Sequence, residues 1–576
     1  MDSSKFAGSW SEYSLLSSLD NRQLYIGLGA LGAAGALFIY KGTKGSRATN
    51  RLDGPSASSF LWGHAPEIFD PQNSIPLQDR LLKTYGSACC GYQGDQLWIA
   101  DPRAMQEILV KGVDDFKVPD SFVTWMRLVW GPTSMTATGH RHRIHRKILN
   151  PVFATKYIRE LHVTNKRYIN HPDTGHELDC SPGIVKSKVR ADGGTTGVVD
   201  IYKWMNYIAF EIIGRAGMGC SFGAMDDKVP EYLSASRDMF PYILEMWYMR
   251  PFLPILTKLG PASFRRAVVE RFPNSSVQGL KRVVDIMDAT AADIIKLRSE
   301  GLEPRNPESG LVAGEDLMTT LLRHNQEVSR EEQLTRAEIL AAVNGLVFGG
   351  HDTTSSALAR TLHILSEHQD IQEKLRTEVH EAHEQYGRDL DFERLNSLTY
   401  LDAICREVLR LHPPESFIER VATKDWTLPL RYPVKSKDGK GIVSSVGVRK
   451  GTHIYVSLVA ANRDRKTWGD EAEMFRPERW LEGLPESVGE SKMPGVYSSV
   501  MTFLGGPRAC PGMRFSQLEM KIVLSILISA FKFDFSNEEV TWRNDVIVKP
   551  YVRGWDGTLG AVPSMPMKVT LVGESN

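Results

Sequence analysis

The chain carries no surplus of charge of either sign. Its 69 Lys and Arg residues are matched by 69 Asp and Glu residues, so the formal net charge over 576 residues is zero. Binding nucleic acid requires a basic surface, so the balance gives no reason to expect that class of partner. Cysteine is also scarce: six are present, at 89, 90, 180, 220, 405 and 510, with no Cys-x-x-Cys pair and no Cys/His cluster at zinc spacing. A disulfide scaffold is therefore not expected, and a reducing compartment is the simpler setting. No glycine-rich flavin or nicotinamide fingerprint occurs, and no repeat or low-complexity stretch. Hydrophobic content of 42% and charged content of 24% are ordinary for a globular protein. Length alone would suggest several domains.

Long apolar runs are rare, with one exception near the start. Leu24 to Tyr40 is apolar throughout and rich in Gly and Ala. As a helix it would span roughly 26 Å, enough for a thin bilayer. Lys41, Lys44, Arg47 and Arg51 follow it, and no strongly basic region precedes it. Positive charges stay in the cytosol, so a membrane anchor is favoured over a cleaved signal peptide. That topology makes Asn274-Ser275-Ser276 a silent glycosylation sequon in the cytosol.

The most informative stretch lies late in the chain, at Phe503-Leu504-Gly505-Gly506-Pro507-Arg508-Ala509-Cys510-Pro511-Gly512. It places one cysteine on a glycine- and proline-set loop, followed by an apolar run, Met513 to Phe531, that reads as a buried helix. A thiol at a helix N-terminus meets free N–H groups that favour its ionised form, and Arg508 adds a positive charge. The other five cysteines read as small core residues.

Further signals lie upstream. Trp98-Ile99-Ala100 reads as a strand entering a helix over Ala104 to Val110. Val113 to Thr138 is dense in apolar and aromatic residues and reads as a loop with a short helix capping the core. The run Gly139 to Lys147 is the most basic in the chain; taken alone it is a solvated helix face. His142 and Arg146, four apart on a helix, share a side and point to one anion. Arg141, Arg143 and Lys147 are then free to steer an acidic partner. His171 to Gly197 reads as an extended loop and Glu300 to Gly314 as a polar connector. Thr335-Arg336-Ala337-Glu338 has capping-box spacing and announces a helix. Inside it, Gly349-Gly350 costs roughly 1 kcal/mol per glycine relative to alanine, so the backbone there is close to something or kinked. A kink with Thr353 bonding back one turn is the simple alternative. Tyr400 to Leu411 reads as a helix stopped by His412-Pro413-Pro414, with Glu407 and Arg410 on one face. Val448 to Ala460, turning at Lys450-Gly451-Thr452, reads as a hairpin.

Taken in order, these segments resemble the cytochrome P-450 family of haem-thiolate monooxygenases, in its eukaryotic microsomal form. The motifs span Gly139 to Gly512, with weaker similarity back to Gly54-Pro55 and the apolar segment. The resemblance implies a mainly α fold with a smaller β-sheet region (α+β), forming a single domain over residues 67–576. Before it would come a lumenal segment (1–23), the transmembrane anchor (24–40) and a linker (41–66). It makes Cys510 the axial ligand of the iron in haem b (iron protoporphyrin IX), with Phe503, Gly506 and Arg508 shaping its loop. Gly349 and Gly350 would let the flat cofactor pass, and Asp352 and Thr353 would supply protons to bound dioxygen. Arg146 matches an arginine that meets a haem propionate, with His142 standing where the family often has Trp. Arg420, seven residues after Pro413, matches a further propionate arginine. Glu407, Arg410 and Arg479 match a structural ion-pair set, and Glu415 to Ile418 a wall of the substrate pocket. Val113 to Thr138 covers the family's variable substrate-recognition loop.

The implied function is insertion of one oxygen atom from O2 into a lipophilic substrate, with electrons from NADPH through a separate flavoprotein reductase. The expected location is the endoplasmic reticulum membrane, single-pass, with the catalytic domain in the cytosol, and the expected setting secondary-metabolite biosynthesis. Two alternatives are a haem-thiolate isomerase or dehydratase that needs no O2, and a non-enzymatic membrane haem sensor. The intact Asp352-Thr353 pair disfavours both.

Overall fold

The computed structural model describes residues 52–573 apart from 57, 60–62, 92–95, 160–184, 186–188, 190–193, 226–228 and 301–315. The anchor expected at 24–40 lies outside the described residues, as do most of the loop and connector expected at 171–197 and 300–314. Thr196 and Gly197, assigned to that loop, instead begin a strand, Thr196–Asp200. Among the described residues no helix is long and apolar enough to cross a membrane.

Helices dominate, and one organises the rest. The long helix Arg336–Glu367 starts on a complete capping box: the Thr335 hydroxyl accepts from the Glu338 N–H, and the Glu338 carboxylate accepts from the Thr335 N–H. Its second half is buried nearly all round, including Leu358, Ala359, Leu362 and Leu365, as befits a helix through the middle of a large core. Around it pack Ile201–Ile212, the cysteine helix Met513–Ala530 and the strand Phe531–Phe535. The helix Thr399–Leu411 ends where expected, before His412. The side chain of Asn274, the sequon residue, accepts from the Val277 N–H and caps the helix Ser275–Glu300.

The strands form small sheets beside this body. In the largest, Gln96–Ile99 runs parallel to His453–Ser457, which pairs antiparallel with Phe417–Ala422. The expected hairpin over Val448 to Ala460 does not form. Ile442–Val448 pairs with Trp426–Lys435, while His453–Ser457 has both edges taken by other strands. The turn at Gly451 carries the chain from one sheet to another, and Leu458–Arg463 is helical.

Two apolar cores result. The larger surrounds the long helix and the cysteine helix. The smaller joins the sheet residues Leu97, Ile99 and Val456 to Ile108 and Leu109. Strand Val500–Gly505 is stitched into both, Val500 and Phe503 into the first and Met501 into the second. The loop bearing Cys510 thus leaves from the seam between them, where its position is fixed from two sides.

Candidate active site

The cysteine loop is shaped by close approach. Gly506 has φ of +71° and passes so near the segment Glu107–Lys111 that a Cβ would sit 2.3 Å from the Leu109 carbonyl oxygen. No other residue fits there. The chain then turns through Gly506–Arg508, and the Cys510 N–H donates to the Phe503 carbonyl at 2.9 Å. Phe503 is buried against Tyr497, edge to face at 5.5 Å, so its part is to seat the loop. Arg508 donates to the Ala137 carbonyl at 2.8 Å, and Arg146 to the Ala509 carbonyl at 2.8 Å.

Cys510 sits at the N-terminus of the cysteine helix, as the spacing predicts. Protein surrounds it, yet its surface is solvent-accessible, so it faces open space within the molecule. Burial pushes its thiol up from the usual range, opposed by the N–H groups of Gly512 and Met513 and by Arg146. The helix N-terminus favours the thiolate as the sequence leads one to expect, but desolvation outweighs it in the protein alone. The remaining described cysteines are unpaired thiols, and burial raises Cys220 to about 11 and Cys405 to about 12. Neither is a nucleophile at neutral pH.

The long helix packs against the cysteine helix. Thr354 donates to Ser516 at 3.4 Å, which joins the turn after Gly349-Gly350 to the first turns of the cysteine helix. The two glycines differ in role. A Cβ on Gly349 would meet nothing within 4 Å, so of the two this residue has open space beside it. A Cβ on Gly350 would lie 2.7 Å from Ile213 Cγ1, so that glycine serves helix packing. Of the two glycines expected beside a cofactor, only Gly349 has open space where a Cβ would stand. The helix runs unbroken through both glycines, and Thr353 donates to the Gly349 carbonyl at 2.8 Å. Asp352, one residue earlier, is turned into the interior and buried.

Beside the cysteine loop, four basic side chains converge. His142 is buried, and burial together with Arg508 and Arg146 pushes it down to about 4, so it is neutral at pH 7. Arg420 is buried and depressed to about 10, by burial and then by Arg508. Burial also lowers Arg146 and Arg508. Arg146 Nε has no hydrogen-bond partner among the described residues. Among the described residues opposite charge is short here: Asp114, which acts on Arg508, is exposed, Glu415 is itself pushed up to about 7 by burial, and Glu419 is paired with Arg250 at 2.9 Å. Guanidiniums gathered in the interior without enough carboxylates are a cradle for an added dianion. The two propionates of a haem would supply that charge, with Cys510 available as a thiolate ligand and Gly349 leaving clearance. The residues present fit the cofactor. With its imidazole lowered to about 4, His142 would meet such a group as a neutral hydrogen-bonding partner and not as a cation.

The rest of the basic helix keeps Arg143 and Lys147 at the surface, as expected, but most of its charges are paired within the protein. Arg141 pairs with Glu338, His145 Nε2 lies 3.0 Å from Glu338, and Lys147 pairs with Glu332 at 2.7 Å. Its charge is largely spent on tying the helix to the start of the long helix. Arg143, 3.6 Å from Asp114, remains largely exposed.

The Glu407 set closes as the sequence suggests and is larger. Arg410 makes two bonds to Glu407 at 2.8 and 2.9 Å, and Arg479 adds one at 3.2 Å. The Trp480 indole and the Arg476 N–H also donate to Glu407, at 2.9 and 3.1 Å, and sequence reasoning missed both. Arg410 further donates to the Asn462 and Ala472 carbonyls at 2.8 and 2.6 Å. Helix Asp120–Trp130, in the expected substrate-recognition stretch, lies against the long helix. Trp130 stacks on Phe348 with centroids 4.6 Å apart, one residue before Gly349.

The chain matches the cytochrome P-450 family model over residues 54–550. It belongs to the cytochrome P-450 family. Cytochrome P-450 monooxygenase 212 of Postia placenta is 35% identical over 558 residues, covering 95% of this chain and 98% of the relative. A ganoderic acid synthetase of Ganoderma lucidum is 36% identical over 513 residues, covering 87% and 91%. A cytochrome P-450 monooxygenase of Hericium erinaceus is 32% identical over 541 residues, covering 91% and 93%. The chain is accordingly an oxidoreductase, a haem-thiolate cytochrome P-450 monooxygenase. Such an enzyme uses O2, a substrate and a redox partner.

Proposed function

We propose that this cytochrome P-450 is membrane-anchored through residues 24–40, with residues 67–576 as the catalytic domain on the cytosolic face of the endoplasmic reticulum. It inserts one atom of O2 into a lipophilic substrate and reduces the other to water, using two electrons from NADPH through a flavoprotein reductase. Secondary-metabolite biosynthesis is the proposed setting, supported by similarity to the ganoderic acid synthetase. The observation that carries the reading is the approach of the Cys510 helix to the Thr353 turn through Thr354 and Ser516.

Bound haem b would supply the redox centre at which O2 is activated. Cys510 would hold it as thiolate, and Arg146, Arg420 and Arg508 would neutralise its carboxylates while His142 would donate a hydrogen bond. Gly349, with open space where a Cβ would stand, would leave room beside the group. The Thr353 hydroxyl, now bonded to the Gly349 carbonyl, lies at the edge of that clearing and can turn to pass a proton. Asp352 is the proposed proton source behind it. Trp130 and Phe348 stiffen the apolar wall next to Gly349 and limit water near the reacting atoms.

The test is expression of the full chain with a reductase, comparing parent and Cys510→Ala. The parent should show the reduced carbon-monoxide band of a haem-thiolate protein and the variant should lose it. A band retained in the variant would overturn the assignment. Untargeted product profiling of the same cells then identifies the substrate.

A further inference from the structure

The Asp352 carboxylate is not free to face the open side of the long helix. Its Oδ2 lies 2.9 Å from Lys549 Nζ, and both side chains are almost wholly buried, 4% and 3% exposed. The contact is one of charge: Asp352 Oδ2 has no aligned hydrogen bond among the described residues. Successive helix residues are about 100° apart, so Thr353 can face the clearing beside Gly349 while Asp352 points at the neighbouring strand. That strand, Ile547–Arg553, is held in register on both sides of its backbone. The Val548 N–H donates to the Pro414 carbonyl at 2.9 Å, and the Ser356 hydroxyl donates to the Val548 carbonyl. Lys549 is therefore delivered to Asp352 by a fixed backbone, with its ammonium also 5.9 Å from the centre of the Phe240 ring.

A buried ion pair is a poor device for stability, because desolvating both charges offsets their attraction, and apolar replacements commonly do as well. This one sits on the candidate proton source and draws its cation from a strand distant in sequence. We propose that Lys549 is a positioning residue for Asp352, holding its carboxyl group on the far side of the long helix from the Thr353 face, so that Asp352 passes a proton to that face only when the pair opens. The inference rests on the reading of Asp352 and Thr353 as the proton route.

The experiment needs no knowledge of the substrate. Full-length holoenzyme with reductase, NADPH and O2 reduces O2 by two electrons to hydrogen peroxide or by four to water, and the four-electron route needs protons delivered inside the site. Peroxide released per NADPH and the solvent deuterium isotope effect on NADPH oxidation are measured for parent, Lys549→Met, Lys549→Arg, Asp352→Asn and Thr353→Ala. Lys549→Met should raise the peroxide share and move the isotope effect to the Asp352→Asn values, while Lys549→Arg should stay near the parent. Thermal unfolding of the single variants and the Asp352→Asn/Lys549→Met double variant should be non-additive, with the double variant recovering part of the lost Tm. Additive Tm losses would overturn the pairing. Parental peroxide share and isotope effect in Lys549→Met, with both altered in Asp352→Asn, would overturn the role of Lys549 and leave the proton route standing. If Asp352→Asn and Thr353→Ala also leave both readouts unmoved, the proton route itself falls, and the inference with it.

Discussion

Arg146 donates a 2.8 Å hydrogen bond to the carbonyl of Ala509, the residue before Cys510. One guanidinium thereby clamps the basic helix to the cysteine loop while its buried Nε has no hydrogen-bond partner among the described residues. Arg146→Ala removes both the clamp and one cation of the cradle. The expected outcome is folded protein that retains less haem, read as the ratio of cofactor to protein absorbance after purification. An unchanged ratio would count against the propionate assignment.

Gly349 and Gly350 predict opposite results from the same substitution. Gly349→Ala adds a methyl that meets no protein atom, and alanine is favoured over glycine in a helix by about 1 kcal/mol. The apoprotein should gain stability while the holoenzyme loses haem content or turnover. Gly350→Ala drives a methyl against Ile213, 2.7 Å away, and should destabilise by about 1–3 kcal/mol through overpacking. Denaturant unfolding of the two variants checks the pair, and equal shifts would refute the assignment of different roles.

Glu338 links the acid stability of the fold to the start of the long helix. Burial alone would raise its pKa, but bonds from Arg141, the Thr335 N–H and His145 overcome it and hold the carboxyl at about 2 against an ordinary 4.5. A depressed acid contributes stability that is present above its unfolded value and lost as pH falls through its folded value. Between pH 4.5 and about 2 the parent should therefore lose stability steeply. Glu338→Gln should be less stable at neutral pH and show a shallower decline across that window, measured by unfolding midpoints at a series of pH values.

Glu407 is fully buried and compensates two buried arginines. Glu407→Gln leaves Arg410 and Arg479 without a counter-charge, and breaking such a set destabilises by about 3–5 kcal/mol. Little folded holoprotein should be recovered. If Glu407→Gln folded with parental Tm, the network would not be holding this side of the core.

Much of the site could be read because its pieces are local. The order Phe503, Gly506, Arg508, Cys510 lies within one loop, and Glu407 and Arg410 within one helical turn, so spacing alone brings them together. Thr335 and Glu338 likewise find each other across three residues. Where a partner comes from another element, sequence reasoning failed in specific ways. Strand edges decided against the Val448 to Ala460 hairpin, because His453–Ser457 was taken by distant strands. Glu338 and Glu332 absorbed the charge of Arg141 and Lys147, which the sequence had left for an external partner.

By itself, then, the sequence determined the kinds of chemistry present: one cysteine on a turn-set loop before a helix, an acid–alcohol pair after two glycines, and an acid–arginine set. Backbone conformation and short-range spacing are written residue by residue, so these survive any question of packing. Only the tertiary structure decided direction and charge. It showed that Gly349 and not Gly350 faces the clearing, that burial leaves His142 neutral and raises the Cys510 thiol, and that Asp352 is held by Lys549. Those properties depend on which distant surfaces exclude water and which distant charges lie within a few ångströms, and no periodicity in a single chain encodes either.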